Sequence, residues 1–202
     1  ETLRDERDGQ EYPTVQIGSQ CWMAKNLNIG TMVNSVNTGS SHSAVSNNGL
    51  IEKYCYDNDP VNCAVYGGLY DWDEMMGYTT TPGTQGICPT GWHIPTDAEW
   101  CTLTTYLDAT VNCNYWGWSG TNAGGKMKAT GTTYWYSPNT GATNSSGFTA
   151  LGAGTRDHNG NFNDLRYYAF FWSSSEFSST SGIYRLLYYD TASVFRDITN
   201  ET

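Results

Sequence analysis

The chain has 202 residues, of which 38% are hydrophobic, 14% aromatic and 15% charged, and its formal net charge is −10. This length suits one large domain, or one domain with long loops. A surface so acidic repels the phosphates of nucleic acids and of anionic membranes, and no apolar run is long enough for a transmembrane helix.

The charged fraction lies well below the roughly 25% of an ordinary globular domain. A core built from Trp, Tyr and Phe is therefore expected, with 22 glycines allowing tight turns. Solubility then depends on Asn, Ser, Thr and Gly, a composition more usual outside the cell. The opening residues "ETLRDERDGQ" contain no signal peptide and indicate a mature or trimmed start.

The N-terminal half shows three local patterns. Val15 and Ile17 alternate with polar neighbours, which indicates a half-buried strand. Residues 30–50 lack periodicity and predict a long surface loop. A short helix is indicated by apolar residues at helical spacing, namely Leu69, Trp72, Met75 and Met76.

The clearest helix signal is "CPTGWHIPTDAEWCTLTTYL". Thr96 and Glu99 have the spacing of a capping box, and Pro95 prevents the helix from beginning earlier. The pattern predicts a helix over about Asp97 to Leu107. Its apolar face consists of Trp100, Leu103 and Leu107.

Residues 115–163 have little periodicity, but their Trp and Tyr residues indicate an ordered, packed loop region. Three strand candidates follow, at Phe170–Ser174, Tyr184–Tyr189 and Ala192–Arg196. Two short helices, long loops and antiparallel strands together predict an α+β domain.

Six cysteines without a CxxC pair argue against zinc ribbons and thioredoxin-like sites. A short polar loop between Cys55 and Cys63 indicates a disulfide. Cys101 and Cys113 could close a second small loop, and elimination then leaves Cys21 with Cys88. The alternative is six reduced thiols in a cytosolic protein. The expected pairs are Cys55–Cys63, Cys101–Cys113 and Cys21–Cys88.

The motifs "TVQIGSQCWMAKNLN", "YGGLYDWDEMM", "CPTGWHIPTDAEW", "GFTAL" and "FFWSSSE" occur in this order. Over about Asp8 to Arg196 the chain resembles the Fibrobacter succinogenes major paralogous domain. The resemblance implies a single domain over residues 1–202 with the C-type-lectin-like fold, which sulfatase-modifying enzymes share. It also implies a last strand whose cysteine often pairs with Cys88. That strand is expected to be missing here, leaving an exposed sheet edge.

The C-terminal strand candidates separate two faces by their alternation. By the resemblance, one set of alternate residues matches the family's framework and is expected to point inward: Arg185, Leu187, Tyr189, Val194 and Arg196. Leu186, Tyr188 and Phe195, on the opposite face, are expected to be exposed together. The predicted ligand-binding residues are Asp164, Arg166, Tyr167, Tyr168, Phe170, Phe177, Ser181, Ile183, Leu186, Tyr188, Asp190, Thr191, Ser193, Phe195 and Asp197.

Tyr and Ser with occasional Arg and Asp are typical of antibody binding loops. Some relatives of this fold are targets of diversity-generating retroelements, which randomise such positions, so the resemblance implies a variable protein. The alternative is that these aromatic residues build a Tyr-rich core. The residues assigned to the core are Trp72, Trp92, Trp100 and Trp172.

Calcium is the one cofactor considered. Its candidate ligands lie in "DNDPVN" (Asp57, Asn58, Asp59) and in "DHNGNFND", where Asp157, Asn159 and Asn161 are the predicted metal residues. The second segment begins like an EF-hand loop but lacks the closing Glu. Asn and Asp are also ordinary turn formers, and the sugar-coordinating motifs of calcium-dependent lectins are absent.

The sequence favours binding over catalysis. His42, His93 and His158 lie in unrelated contexts, and His93 precedes the capped helix as a structural residue would. No cysteine follows Cys113, so the reactive cysteine pair of the sulfatase-modifying enzymes has no counterpart.

We therefore expect a secreted or cell-surface bacterial domain that binds a protein ligand and is not an enzyme. The alternatives are an adhesin for a surface glycan, an enzyme of the sulfatase-modifying branch, and a surface-layer component.

Overall fold

Residues 1–36 and 45–200 are described by the structure, a computed structural model of the chain; His42 and part of the predicted loop lie outside them. Within these ranges helices and strands mix, which confirms the α+β class. The strands are β1 (Thr2–Arg4), β2 (Glu11–Ile17), β3 (Gln20–Met23), β4 (Thr31–Met32), β5 (Glu52–Lys53), β6 (Gly117–Ser119), β7 (Thr155–Arg156), β8 (Phe162–Asn163), β9 (Tyr168–Ser178), β10 (Ser181–Tyr188) and β11 (Val194–Asn200). The helices are α1 (Pro60–Tyr66), α2 (Trp72–Met76), α3 (Asp97–Leu107) and α4 (Ala123–Met127).

The C-terminal strands form a four-stranded antiparallel sheet in the order β6-β11-β10-β9. β9 and β10 pair as a hairpin, and β11 lies between β10 and β6. The edges of this sheet are therefore β9 and β6, and all three C-terminal strand candidates are confirmed. The expected absence of a further, closing strand stays a prediction. A second antiparallel sheet, β1-β2-β3, contains the predicted strand around Val15.

α3 begins and ends where the sequence predicts. The Glu99 main-chain N–H donates to Thr96 Oγ1 (3.2 Å), and the Thr96 N–H donates to Glu99 Oε2 (2.8 Å), so both halves of the capping box are present. α3 packs against one face of the four-stranded sheet, with the Trp100 and Phe171 ring centroids 5.5 Å apart. We call this the inner face and the opposite one the outer face.

Two helices were not predicted from the sequence. α1 begins inside the segment that the sequence predicts as a polar loop, between Cys55 and Cys63, and extends past it to Tyr66. Asp59 caps the helix by accepting from the Val61 N–H (2.9 Å), and Pro60 occupies its first position. That Asp-Pro start is a common helix N-terminus. α4 contains two glycines because other main-chain segments approach it closely. A Cβ on Gly124 would lie 2.3 Å from the Ser193 carbonyl oxygen, and one on Gly125 would lie 2.3 Å from the Gly141 carbonyl oxygen.

The core is aromatic, as the composition predicts. Trp72 and Trp100 are fully buried in two separate clusters, whereas Trp92 and Trp172 are only partly buried and pack against the cluster of Trp72. Assigning the last two to the core outright was therefore wrong. Trp135 is fully buried, which shows how the aperiodic region 115–163 is packed.

Two of the three expected disulfides are present, Cys55–Cys63 and Cys101–Cys113. The pairing of Cys21 with Cys88 is wrong, since both thiols are free. Cys21 is exposed on β3 and Cys88 is buried in the cluster of Trp72, and both line one cavity that lies between those two regions.

A buried ion-pair network fastens α3 to the sheet. The Asp97 carboxylate lies 2.7 Å from Arg185 and 2.7 Å from Arg196, which come from the two central strands β10 and β11. The side chain of Arg185 is only 3% exposed, so its charge depends on this carboxylate. Burial raises the pKa of Asp97, but the hydrogen bonds from Arg196 and the charge of Arg185 outweigh it, and the net pKa is lowered.

We predict that Asp97→Ala lowers the free energy of unfolding by about 3–5 kcal/mol, because it leaves the buried guanidinium of Arg185 unpaired. Urea denaturation at pH 7 measures the change. Glu6→Ala, which removes an exposed carboxylate, is the control and is expected to change stability by less than about 0.5 kcal/mol.

The same contribution depends on pH. Because the folded pKa of Asp97 lies below its ordinary value of 3.8, the stabilisation is complete above that pH and is lost as the pH falls through the folded pKa. The stability difference between wild type and Asp97→Ala should therefore shrink below about pH 4. An unchanged difference at acid pH would contradict this account.

Candidate ligand-binding surface

The alternation along β10 separates the two faces of the sheet as predicted for Arg185 and Leu187. Both are buried on the inner face, where Arg185 meets Asp97. Tyr184 and Tyr188 lie on the outer face and are half-buried. The aromatic residues that β10 presents on the outer face are therefore Tyr184 and Tyr188, four positions apart.

Six aromatic side chains form a closed circuit on the outer face. Tyr168 stacks on Tyr188 with ring centroids 4.6 Å apart, and Trp118 packs on Phe195 at 4.9 Å. All six neighbouring centroid distances around the circuit lie between 4.6 and 6.4 Å. We call this set the aromatic hexad: Trp118, Phe195, Tyr184, Phe170, Tyr168 and Tyr188.

Leu186 lies at the centre of the hexad. It pairs in register with Phe170 on β9 and with Phe195 on β11, so it points to the outer face as the alternation predicts. Its expected exposure is nevertheless wrong, because it is only 6% exposed. The rings of neighbouring strands surround it and cover it from the side.

Ile183 is a second correction among the predicted binding residues. It is one position before Tyr184 and so points to the inner face, where it is 7% exposed. Phe177 is exposed as expected, but it packs on Trp116 (5.7 Å) and does not join the hexad. Ser181, at the start of β10, lies at the same end of the sheet.

A second group of tyrosines continues the aromatic surface. Tyr136, Tyr167 and Tyr189, which we call the tyrosine triad, lie with ring centroids 4.3–6.4 Å apart. The Arg166 guanidinium lies 4.7 Å above Tyr136. The triad joins the hexad through Tyr189 and Tyr188, whose centroids are 4.6 Å apart.

The remaining predicted residues lie around these two groups. Asp164 and Asp190 are exposed. The Ser193 hydroxyl is committed to the main chain, since it donates to the Gly120 carbonyl (2.8 Å). Asp197 pairs with Tyr184 in register, and burial together with the charge of Asp197 raises the pKa of Tyr184 to about 12. This phenol therefore stays neutral at physiological pH.

Several residues of the surface were missed by the sequence reasoning. Tyr184 lies on the same strand face as Leu186 and Tyr188. The alternating pattern would have identified it if it had been counted from Tyr184 instead of Arg185. Trp118 carries no such signal, because it joins the hexad only through the pairing of β6 with β11. Tyr136 likewise belongs to an aperiodic segment.

A cleft of about 310 Å³ opens at one side of the hexad. Its lining includes the aromatic residues Phe170, Tyr184 and Trp172 and the charged residues Asp71 and Arg156. The outer surface thus combines aromatic rings with a recess that has charged groups.

The loops considered for calcium are hydrogen-bonded turns. Asp157 Oδ1 accepts from the N–H groups of Asn159 and Asn161, both at 2.9 Å, and the Asn161 side-chain amide also donates to this carboxylate. In the other loop, Asn58 Oδ1 accepts from the Ser35 N–H (2.7 Å), and Asp59 caps α1. Over residues 1–36 and 45–200, no group of three or more His, Cys, Asp or Glu side chains is placed to hold a metal.

The described histidines are not brought together by the fold. His93 Nε2 lies 2.8 Å from Glu99 Oε1, the carboxylate that also closes the capping box of α3, so His93 has a structural partner. His158 is exposed and lies elsewhere, in the loop of Asp157.

Comparison with known proteins gives one match. The family model described as the Fibrobacter succinogenes major domain matches residues 15–201, which includes every residue of the hexad and the triad. No curated protein and no solved structure matches the chain. Among the described residues, no helix is long and apolar enough to cross a membrane.

Behind the hexad, a buried lysine organises the turn between β10 and β11. Lys128 is fully buried, and its Nζ donates to the carbonyls of Thr140 (3.0 Å), Tyr188 (2.9 Å) and Thr191 (2.8 Å). Thr191, a predicted binding residue, therefore contributes its main chain to this arrangement. The lysine holds Tyr188 and Tyr189 in place from below.

We predict that Lys128→Met lowers the free energy of unfolding by about 2–4 kcal/mol, because three carbonyls lose a charged donor. Thermal denaturation measures the loss, and Lys25→Met serves as the surface control. In the folded variant, near-UV circular dichroism should also show altered packing of the tyrosines. A variant with wild-type stability and spectrum would contradict the role given to Lys128.

Proposed function

The chain belongs to the Fibrobacter succinogenes major domain family, and on that premise we propose that it is a ligand-binding domain whose aromatic hexad and tyrosine triad hold a protein partner. The observation that carries this proposal is the closed circuit of six rings on the outer face, with Trp118 and Phe170 each 39% exposed. Contiguous apolar patches on a protein surface usually mark interaction sites. Tyr, Trp and Arg are also the residues that most often dominate binding energy.

The packing of the rings supports a binding role over simple core formation. Each hexad side chain contacts two others, so its rotamer is restricted before any partner arrives. Little side-chain entropy is then lost on binding, and a preorganised surface converts more of its contact energy into affinity. The Arg166 guanidinium above Tyr136 adds a charged donor beside the apolar patch.

We further propose a C-type-lectin-like fold and a site of action at the cell surface or in the extracellular space, without catalysis. Two disulfides fit an oxidising compartment. We also propose that the chain is related to the variable proteins of diversity-generating retroelements. The positions that vary would be the outward side chains of β9, β10 and β11. Diversity there would change the partner and leave the inner-face network of Asp97 intact.

We predict that Trp118→Ala and Tyr188→Ala each weaken binding at least about tenfold, as expected for hot-spot aromatics. The probe is an array of purified extracellular proteins, on which wild type and variants are compared and hits are measured by surface plasmon resonance. Melting temperatures should fall by no more than a few degrees, because both side chains are partly exposed.

Tyr106→Ala is the matched control, since Tyr106 is an exposed aromatic residue on α3, on the other side of the sheet. It should retain every hit of the wild type. Hits that survive both hexad substitutions, or that Tyr106→Ala abolishes equally, would refute the hexad as the binding surface.

A surface glycan is the second candidate ligand, favoured by the cleft that aromatic rings line together with Asp71 and Arg156. A glycan array distinguishes it. Glycan hits should be lost in Phe170→Ala, because Phe170 lines the cleft, and kept in Trp118→Ala, because Trp118 does not. The reverse pattern, or an array without hits, would exclude the cleft as a sugar site.

A further inference from the structure

A cavity of about 680 Å³ lies beside the free edge of β9, and Phe170 is the one hexad residue among those that line it. Its lining includes Trp22, Trp100 and Phe148 from one core cluster, and Met75 and Ile87 from the other. Packed interiors leave few voids larger than a water molecule, whereas ligand pockets commonly have this size. The two clusters thus remain apart at a place large enough for a ligand.

The walls of this cavity are mainly apolar, and three indole N–H groups in them are already engaged. The indole N–H groups of Trp22, Trp100 and Trp172 donate to Gln20 Oε1, the Trp172 carbonyl and the Tyr70 carbonyl, at 3.3, 3.2 and 3.1 Å. The rings therefore offer carbon surface to an occupant, and an apolar group suits them best.

The main chain of β9 contributes the polar part of the site. Tyr189 N–H donates to the Tyr167 carbonyl (3.0 Å), so in this antiparallel pair the groups of Tyr168, Phe170 and Trp172 point away from β10. They point to the open edge of the sheet.

Three positions on this edge have partners within the chain. The Tyr168 carbonyl accepts from the Gly154 N–H (3.0 Å), the Trp172 carbonyl accepts from the Trp100 indole (3.2 Å), and the Ser174 N–H donates to the Pro95 carbonyl (2.9 Å). Between Tyr168 and Ser174, among the residues that the structure describes, the Phe170 carbonyl and the Trp172 N–H have no hydrogen-bond partner. These two groups bracket Phe171 on the edge.

Gly154 shows what fills such a position. It forms a parallel bridge with Ala169, two residues before Phe171. The chain then leaves the edge to form β7 with β8. The next position along this edge, opposite Phe171, has the geometry for one residue of a parallel strand. That residue would donate its N–H to the Phe170 carbonyl, and its carbonyl would accept from the Trp172 N–H.

We propose that an extended peptide adds to this edge parallel to β9 and inserts one large apolar side chain into the cavity. A residue opposite Phe171 carries its side chain on the same face as Phe171, which lies 5.5 Å from Trp100 and 5.6 Å from Phe148 between ring centroids. This anchor residue therefore points into the cavity. The peptide carries few acidic residues, since the domain has a net charge of −10. Strand addition with a side-chain pocket is a common mode of peptide recognition.

This site is separate from the surface that we propose for protein ligands. Phe170 is shared, but it contributes its main chain here and its ring to the hexad. Substitution of Trp118 or Tyr188 should therefore leave peptide binding unchanged, and the two proposals fail independently.

Cys21 provides a way to block the cavity in the folded protein. It is exposed and lies on the cavity wall, while burial raises the pKa of the Cys88 thiol to about 12 and so suppresses its reaction. Pyrenyl maleimide should then attach to Cys21 alone. Cys21→Ser treated in the same way is the unblocked control.

The probe is a phage-displayed library of linear seven-residue peptides, selected on the wild-type chain. We expect the enriched peptides to share one Trp, Phe or Leu anchor. Their affinity, measured with synthetic peptides, should fall at least about tenfold on the pyrene-labelled protein, and by a similar factor when the anchor amide is N-methylated. N-methylation of the following residue should have little effect, because its amide takes no part in the bridge.

Hydrogen exchange gives a second readout, since bound peptide should slow exchange of the Trp172 amide. The proposal is overturned if no peptide is enriched, if pyrene labelling leaves the affinity unchanged, or if all N-methylated positions behave alike. It is equally overturned if Tyr188→Ala abolishes binding, because the peptides would then occupy the hexad.

Discussion

The carboxylate of Asp97 holds the C-terminal half of this domain together. From the first turn of α3 it pairs with Arg185 on β10 and Arg196 on β11, and so fixes the helix over the two central strands. Because the inner face is occupied by α3 and by these buried charges, side chains at the alternate positions must point outward. Tyr184 and Tyr188 of "YRLLYYD" and Phe195 of "SVFRD" are placed on the outer face by the same constraint.

The outer face resolves a problem that this composition creates. A chain rich in Tyr and Trp and poor in aliphatic residues has more aromatic surface than one core can enclose. The hexad buries Leu186 under mutual ring contacts and still leaves Trp118 and Phe170 accessible. Core and display surface are therefore parts of one layer, and Lys128 supports that layer from below through the turn after β10.

β9 belongs to both proposed sites because it is an edge strand. Its outward rings enter the hexad, its inward Phe171 borders the cavity, and its free main-chain groups face the opening beside Trp172. This edge is partly covered, by Gly154 at one end and by the Trp100 indole at the other. The cover prevents a second copy of the chain from pairing along the whole strand. The short gap between them restricts any added strand to a defined register.

The sequence by itself determined the features that depend on neighbours along the chain. These are the capped helix α3, the disulfide over the short Cys55–Cys63 loop, and the alternation that separates Arg185 from Tyr188. The structure decided what depends on long-range pairing: β6 brings Trp118 beside Phe195, and the rings around Leu186 bury a residue that alternation places outside. Likewise, only the packed chain shows that Cys21 and Cys88 border one cavity without bonding. Periodicity reports the direction of a side chain, whereas burial is set by what the rest of the fold places above it.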